Sequence, residues 1–113
     1  MFPQDQRLRR KRDIALVLRR GRATRNAHLT LRWLTTKLAY PRVTVVIGKT
    51  VSKRATVRNR LKRQLRHLLR SELADIHRGV DIMLFVRPSF AKAPQLEQHA
   101  TLKDVLQRSR LTT

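Results

Sequence analysis

Residues 53–70, KRATVRNRLKRQLRHLLR, carry eight basic side chains and no acid. The stretch nevertheless has the pattern of a packed helix. With Val57 set at zero and an advance of about 100° per residue, Val57, Leu61, Leu65, Leu68, Leu69, Leu73 and Ile76 fall within an arc of roughly 160°. No Gly or Pro interrupts the segment before Gly79, so a helix over 55–76 is predicted. Any fold must lay that stripe on an apolar layer and leave the rest of the helix cationic. A solvated helix face normally alternates sign for i, i+4 support, yet no acid stands between Asp13 and Glu72. Charge of one sign at this density opposes the compact state. A polyanion outside the chain is therefore implied.

The basic residues of the helix divide into two rows. Arg58, Lys62 and Arg66 recur at i+4 and flank the apolar arc, which places them along the border with the layer beneath. Arg60, Arg63 and Arg70 lie farther round, towards the outer face. Asn59, inside the Arg-Asn-Arg triplet, can hydrogen-bond a base edge or satisfy a backbone group. Lys49, Lys53 and Arg54 extend the cluster upstream, giving nine cations and no acid over residues 49–70. Arg predominates over Lys, which favours bidentate phosphate contacts and stacking.

Across the chain 27 Lys and Arg face 7 Asp and Glu, a net charge of +20. A second cluster, residues 7–25, holds nine cations with Asp13 as its one acid, and five of the seven acids lie at or after Glu72. Charge so concentrated describes a nucleic-acid-binding face. Three rivals bear on this reading. An anionic membrane surface would favour aromatic anchors, and the chain has three Phe, one Trp and one Tyr. A DNA regulator needs a protruding recognition helix with polar readers, for which Gln64 is the main candidate. A ribosomal or RNA-assembly protein without a role in cleavage shares the charge and the size.

A hydrophobic content of 41% is too high for a disordered basic tail. Residues 1–113 are expected to form one RNA-binding domain, with 1–12 as a flexible basic segment. The N-terminus is basic but lacks the apolar stretch of a signal peptide, and no apolar run reaches the roughly 18 residues of a membrane span. A soluble, uncleaved protein is expected.

Around the long helix the elements read as follows. DIALVLRRG (13–21) is a short helix, with Asp13 as its cap, Ile14, Val17 and Leu18 on one face, and Gly21 just past its end. AHLTLRWL (27–34) alternates with period two, so Leu29, Leu31 and Trp33 oppose His28, Thr30 and Arg32. RVTVVIG (42–48) is a second strand, expected antiparallel to the first through the 36–41 loop. VDIMLFV (80–86) is a continuous apolar strand buried on both faces. RPSFAKAP is a loop, and 95–109 is a last amphipathic helix with Leu102, Val105 and Leu106 inward. A strand, helix, strand unit implies at least one parallel pair. The fold class is α+β, with helices packed on a mixed sheet.

Protein-borne catalysis finds no support. The chain has no Cys, its histidines (28, 67, 77 and 99) form no ligand pair, and carboxylates are too few for a two-metal nuclease site. The glycines at 21, 48 and 79 form no phosphate loop.

TVRNRLKRQLRHLLR, preceded by SKRA, resembles the defining stretch of the bacterial ribonuclease P protein family. RLRRKRDIALVLRRG resembles that family's first helix with its closing Gly, and VDIMLFVRPSFA its last strand, with Arg87 at the end. The similarity spans most of residues 7–108. It implies a two-layer sandwich with a four-stranded mixed sheet and a left-handed βαβ crossover through the Arg-Asn-Arg helix, as in the second domain of ribosomal protein S5. It also implies a partner RNA that performs the cleavage, with Mg2+ serving that RNA and no cofactor held by the protein. Precursor tRNA is the substrate, its 5′ leader is removed, and the site of action is the bacterial cytoplasm. By this resemblance Arg58, Asn59, Arg60, Lys62, Arg63 and Arg66 contact RNA. A cleft between the first helix and the sheet receives the leader, lined by Ile14, Leu18, His28, Thr30, Arg32, Lys62 and Arg66. Two departures stand out. Ile14, Leu18 and Arg32 occupy places where the family usually has aromatic residues, and Gly48, Lys49 and Thr50 stand where Ser-Lys-Lys is common.

Overall fold

The computed structural model describes residues 7–112. In chain order the elements are α1 (Lys11–Arg20), β1 (Arg22–Arg25), β2 (Leu29–Thr35), β3 (Pro41–Val46), α2 (Ala55–Glu72), β4 (Val80–Val86), α3 (Pro88–Lys92) and α4 (Gln95–Arg108). The four strands form one sheet in the order β1-β2-β4-β3. β4 runs antiparallel to β2 and parallel to β3, so the sheet is mixed and α2 is the crossover of a β3-α2-β4 unit.

The expected pairing of β2 with β3 does not form, because β4 lies between them. The apolarity of β4 explains the order. Six of its seven residues are buried, and a strand buried on both faces gains most from the centre of a sheet. β2 and β3 each carry polar residues on one face and tolerate flanking positions. β1, a short exposed strand, adds the outer antiparallel partner of β2.

Period-two alternation divides the sheet between two clusters. Leu29, Leu31, Val43, Val45, Ile82 and Leu84 pack with Leu61, Leu65, Leu69 and Leu73 of α2 and its extension, with Leu102, Val105 and Leu106 of α4, and with Phe90 of α3. The opposite face holds Leu8, Val17 and Met83, joined by Ile14, Leu34 and Phe85, and this smaller cluster seats α1. Both α1 and α2 thus turn apolar stripes to one sheet from opposite sides.

Helix ends differ from expectation for local reasons. α1 begins at Lys11 with Arg10 as its N-cap, so Asp13 lies in the first turn and is not the cap. α2 ends at Glu72, and the chain continues in tight turns in which the Ala74 amide bonds Ser71 O and the Ile76 amide bonds Leu73 O. Those turns keep Leu73 and Ile76 on the core. α3 arises within the predicted loop, started by Pro88 and anchored by buried Phe90. Gly21 does follow α1, but for reasons of space. Its φ is −70°, and a Cβ there would strike Val17 O and come within 2.9 Å of Trp33 O. Within the N-terminal segment expected to be flexible, Arg7 bridges Val43 in parallel and Leu8 is buried, its amide bonding Val43 O at 3.0 Å. Residues 1–6 lie outside the described residues.

The apolar strand β4 also conceals a carboxylate. Asp81 is only 3% exposed, and Arg42 of β3 grips it with two bonds, Nε to Oδ1 at 2.8 Å and Nη2 to Oδ2 at 2.6 Å. Arg42 Nη1 also reaches Asp13 of α1 at 3.2 Å. The bond to Asp81 raises the Arg42 pKa above its ordinary value against the opposing effect of burial. Arg42→Ala strands Asp81 in the interior, and breaking such a pair from one side costs about 3–5 kcal/mol. We expect a loss at the lower end of that range, because Arg42 retains some solvent access. Pairing it with Asp81→Leu should recover much of the loss. Urea unfolding of the wild type and both variants measures this, and a double variant no more stable than the single one would contradict it.

Candidate nucleic-acid interface

The apolar stripe of α2 fixes its rotation and hence the aim of its cations. Leu61, Leu65 and Leu69 are buried, with Val57 and Leu68 partly so. Arg58, Lys62 and Arg66 are consequently half-buried along the helix margin, while Asn59, Arg60, Arg63 and Arg70 are exposed. Lys49, Lys53 and Arg54 are exposed in the approach to the helix, and Arg54 is its N-cap. The first turn of α2 contains no acid and no side-chain cap, although acids are the residues a helix start favours. The two rows inferred from the periodicity are both present.

The inner row lies beside the outer edge of β3. Arg66 has its pKa lowered, first by burial and then by repulsion from Arg7, and Arg7 is the residue bridged to Val43. Arg58 is steadied by a bond from Nη1 to Ser52 O at 2.9 Å. Because α2 returns the chain from the end of β3 to the start of β4, its first turns, with Arg58, lie at the end of the sheet where those strands finish.

At that same end, the α1 face of the sheet carries a cross-strand row. Thr30 of β2 is opposite Phe85 of β4, which is opposite Val46 of β3. Directly paired residues project from the same face, and none of the three is fully covered, with Val46 36% exposed. Leu18 of α1 is 47% exposed, and Ile14 is half-buried on the same cluster as Phe85. Ile14, Leu18, Thr30, Phe85 and Val46 thus make a partly exposed strip on the α1 face, mostly aliphatic with one ring. α2 packs the opposite face of the sheet.

Two residues expected in this cleft have other engagements. His28 faces α3 and α4, with Nδ1 2.7 Å from Ser89 Oγ and Nε2 3.2 Å from Glu97 Oε1. The cause is local. Asn26 Oδ1 accepts the amides of His28 and Leu29, and Asn26 Nδ2 donates to Thr101 O and to Asp104, which draws this turn onto α4. Arg32 is on the α1 face, but its Nη2 donates to Leu18 O at 2.6 Å. It fastens the end of α1, where a cation also suits the helix dipole. Phe85 was not singled out from the sequence. The signal was available, since period two along VDIMLFV puts Asp81, Met83 and Phe85 on one face; the apolar run concealed it.

Five of the acids are committed internally. Asp13 and Asp81 serve Arg42, Glu72 meets His99 and Lys103, Glu97 meets His28, and Asp104 meets Arg108. The Asn26 bond, aided by Arg108, holds the Asp104 carboxyl below the usual carboxylate range. None of these ion pairs involves Arg58, Arg60, Lys62, Arg63 or Arg66. Among the described residues, no three His, Cys, Asp or Glu gather into a possible metal site. No described helix is long and apolar enough to cross a membrane.

A mixed sheet whose crossover helix is lined with exposed cations belongs to the class of small basic proteins suited to a polyanion. The family model for ribonuclease P matches residues 2–110. A Ribonuclease P protein component from Pseudanabaena is 36% identical over 112 residues, covering 98% of this chain and 97% of its own. The solved ribonuclease P protein of Thermotoga maritima superposes with a TM-score of 0.79 at 26% identity, over 90% of this chain and 96% of that one. The Staphylococcus aureus protein shares the fold, with a TM-score of 0.87 at 18% identity over 96% and 98% of the two chains. The chain belongs to the ribonuclease P protein family, whose members are protein subunits of an endoribonuclease of tRNA processing.

Cations clustered this densely should respond to anions. Ligands that bind only the folded state stabilise it by mass action, so tens of millimolar sulfate should raise the melting temperature above that in low-salt chloride buffer. Matched ionic strength separates site binding from general screening. Identical melts in the two salts would contradict it.

Proposed function

We propose that the chain acts as the protein subunit that holds the catalytic RNA of ribonuclease P on the outer row of α2 and guides the leader of precursor tRNA along the groove beside α1. The carrying observation is the division of α2 into two cationic rows, with the inner one beside the edge of β3. Arg60 and Arg63, extended by Arg70, Lys49, Lys53 and Arg54, face outward to the catalytic RNA, and Asn59 stands among them. Lys62 and Arg66, with Arg58 at the head of the row, face the groove, where Ile14, Leu18, Thr30 and Phe85 offer an apolar bed to the bases. A single strand fits such a surface, with phosphates on the cations and bases against rings and aliphatic chains.

Hydrolysis in this reading belongs to the RNA, and Mg2+ serves that RNA. The protein contributes binding and orientation. It works where precursor tRNA is made, in the bacterial cytoplasm.

Reconstitution with a bacterial ribonuclease P RNA tests this assignment. The chain should restore precursor tRNA cleavage at low Mg2+, and failure to do so would leave only a structural RNA binder. Lys62→Ala with Arg66→Ala should lower the affinity ratio of precursor over mature tRNA. Arg60→Ala with Arg63→Ala should weaken assembly with the RNA, whichever tRNA is offered. Phe85→Leu keeps the core filled but removes the ring. Since stacking is worth about 1–3 kcal/mol per base, it should reduce the same ratio about fivefold or more, and Leu18→Phe should raise it. An unchanged ratio in both the Lys62/Arg66 and the Phe85 variants would remove the leader from this groove.

A further inference from the structure

The end of the sheet remote from Phe85 carries a second basic site. There an open depression of about 440 Å3 is rimmed by Arg20, Arg22, Arg78 and Arg110 and floored by Trp33 and Leu111, among others. The four arginines come from separate places in the chain: the last residue of α1, the first of β1, the turn before β4 and the turn after α4. All four are exposed, no carboxylate lines the depression, and no ion pair among the described residues involves any of them. Convergence of like charge from four elements opposes folding unless an anion is present.

The backbone adds an independent observation. Arg110 is the one non-glycine residue with positive φ among those described, at 63°, a conformation that costs of order 1 kcal/mol for a side chain of this kind. Its surroundings impose it. The Arg110 amide bonds Gln107 O at 3.0 Å. The buried Ser109 hydroxyl donates to Leu106 O and accepts the Leu111 amide. The turn sends Leu111 into the core and leaves Arg110 at the rim. Half-buried Trp33 stands opposite Arg22 in the β1–β2 register. Cations around an indole and aliphatic floor match a nucleotide, with its phosphate on the arginines and its base against the ring.

We propose that this depression is a second RNA site, which takes a nucleotide of a single-stranded segment distinct from the one in the α1 groove. Trp33 is level with Ile82, three residues or about 10 Å along β4 from Phe85, and it packs on the opposite face of the sheet, so one nucleotide cannot stack on both rings. The proposal rests on the RNA-binding reading above. It assigns to this end a contact independent of α2, and its RNA comes either from the catalytic RNA or from the precursor tRNA.

Trp33 is the only tryptophan in the chain, so its emission reports on this depression. Titrating the full-length protein with a short oligouridylate should change Trp33 fluorescence saturably. The change should be lost in Arg22→Gln, Arg78→Gln, Arg110→Gly, in which glycine retains the positive φ, and kept in Lys62→Ala, Arg66→Ala. Circular dichroism verifies folding of each variant. Three lost phosphate contacts should reduce the log–log salt slope for single-stranded RNA by about 2. In the reconstituted holoenzyme, a triple variant that weakens RNA assembly assigns the strand to the catalytic RNA. One that instead weakens precursor and mature tRNA binding assigns it to the tRNA. Binding detected by anisotropy without a Trp33 response, or a response that survives the triple variant, would overturn the site. Failure of cleavage with an intact Trp33 response would count against the ribonuclease reading and leave this site standing.

Discussion

One guanidinium governs how the sheet and its first helix fit together. Arg42 and Asp81 are cross-strand partners in the parallel β3–β4 pair, and Arg42 also reaches Asp13 on α1. A one-residue slip of β3 would set Arg42 opposite Val80 or Ile82 and leave Asp81 buried without a counter-charge. Slippage would also turn Val43 and Val45 away from α2, since side chains alternate faces along a strand. The ion pair and the apolar pattern therefore specify the same register. The placement of α1 follows from it, and with α1 the wall of the groove.

The chain distributes its few acids with comparable economy. Glu72, Glu97 and Asp104 lie on or against α4 and bind cations or histidines there, while Asp13 and Asp81 are held by Arg42. These five carboxylates are thus engaged in contacts within the fold, and Arg60, Lys62, Arg63 and Arg66 on α2 keep their charge. Long-range attraction of a polyanion depends on such a field, and the preference for arginine adds planar donors suited to phosphate. At Arg66, burial first and the neighbouring Arg7 second oppose the charge of the residue itself. A phosphate placed there would relieve that repulsion.

Much of this was legible in the sequence where a periodic pattern was long. The α2 stripe, the alternation of β2 and the inward face of α4 each extend over enough residues for packing to leave a signature. β1 and α3 are too short for that, and one exposed strand of RATR carries no apolar alternation. Pairing order was hidden because proximity in sequence favours a β2–β3 hairpin, whereas burial of both faces of β4 decides the centre of the sheet. Within the site, the two rows of α2 followed from its rotation alone. His28, Arg32 and Asp13 did not, because each is committed to a partner far away in sequence: Ser89 and Glu97, the α1 carbonyl of Leu18, and Arg42.

The central position of β4 also sets a timetable. β2 and β3 emerge early during synthesis, but neither has its principal neighbour until α2 and then β4 have followed. Until then two strands expose unpaired edges, and both basic clusters are already present on an unfinished core. Late closure of a sheet by a distant strand is slow and leaves such edges open to wrong partners. In a nascent chain this basic, any polyanion within reach competes with β4 for the unfinished sheet until α2 and β4 have followed.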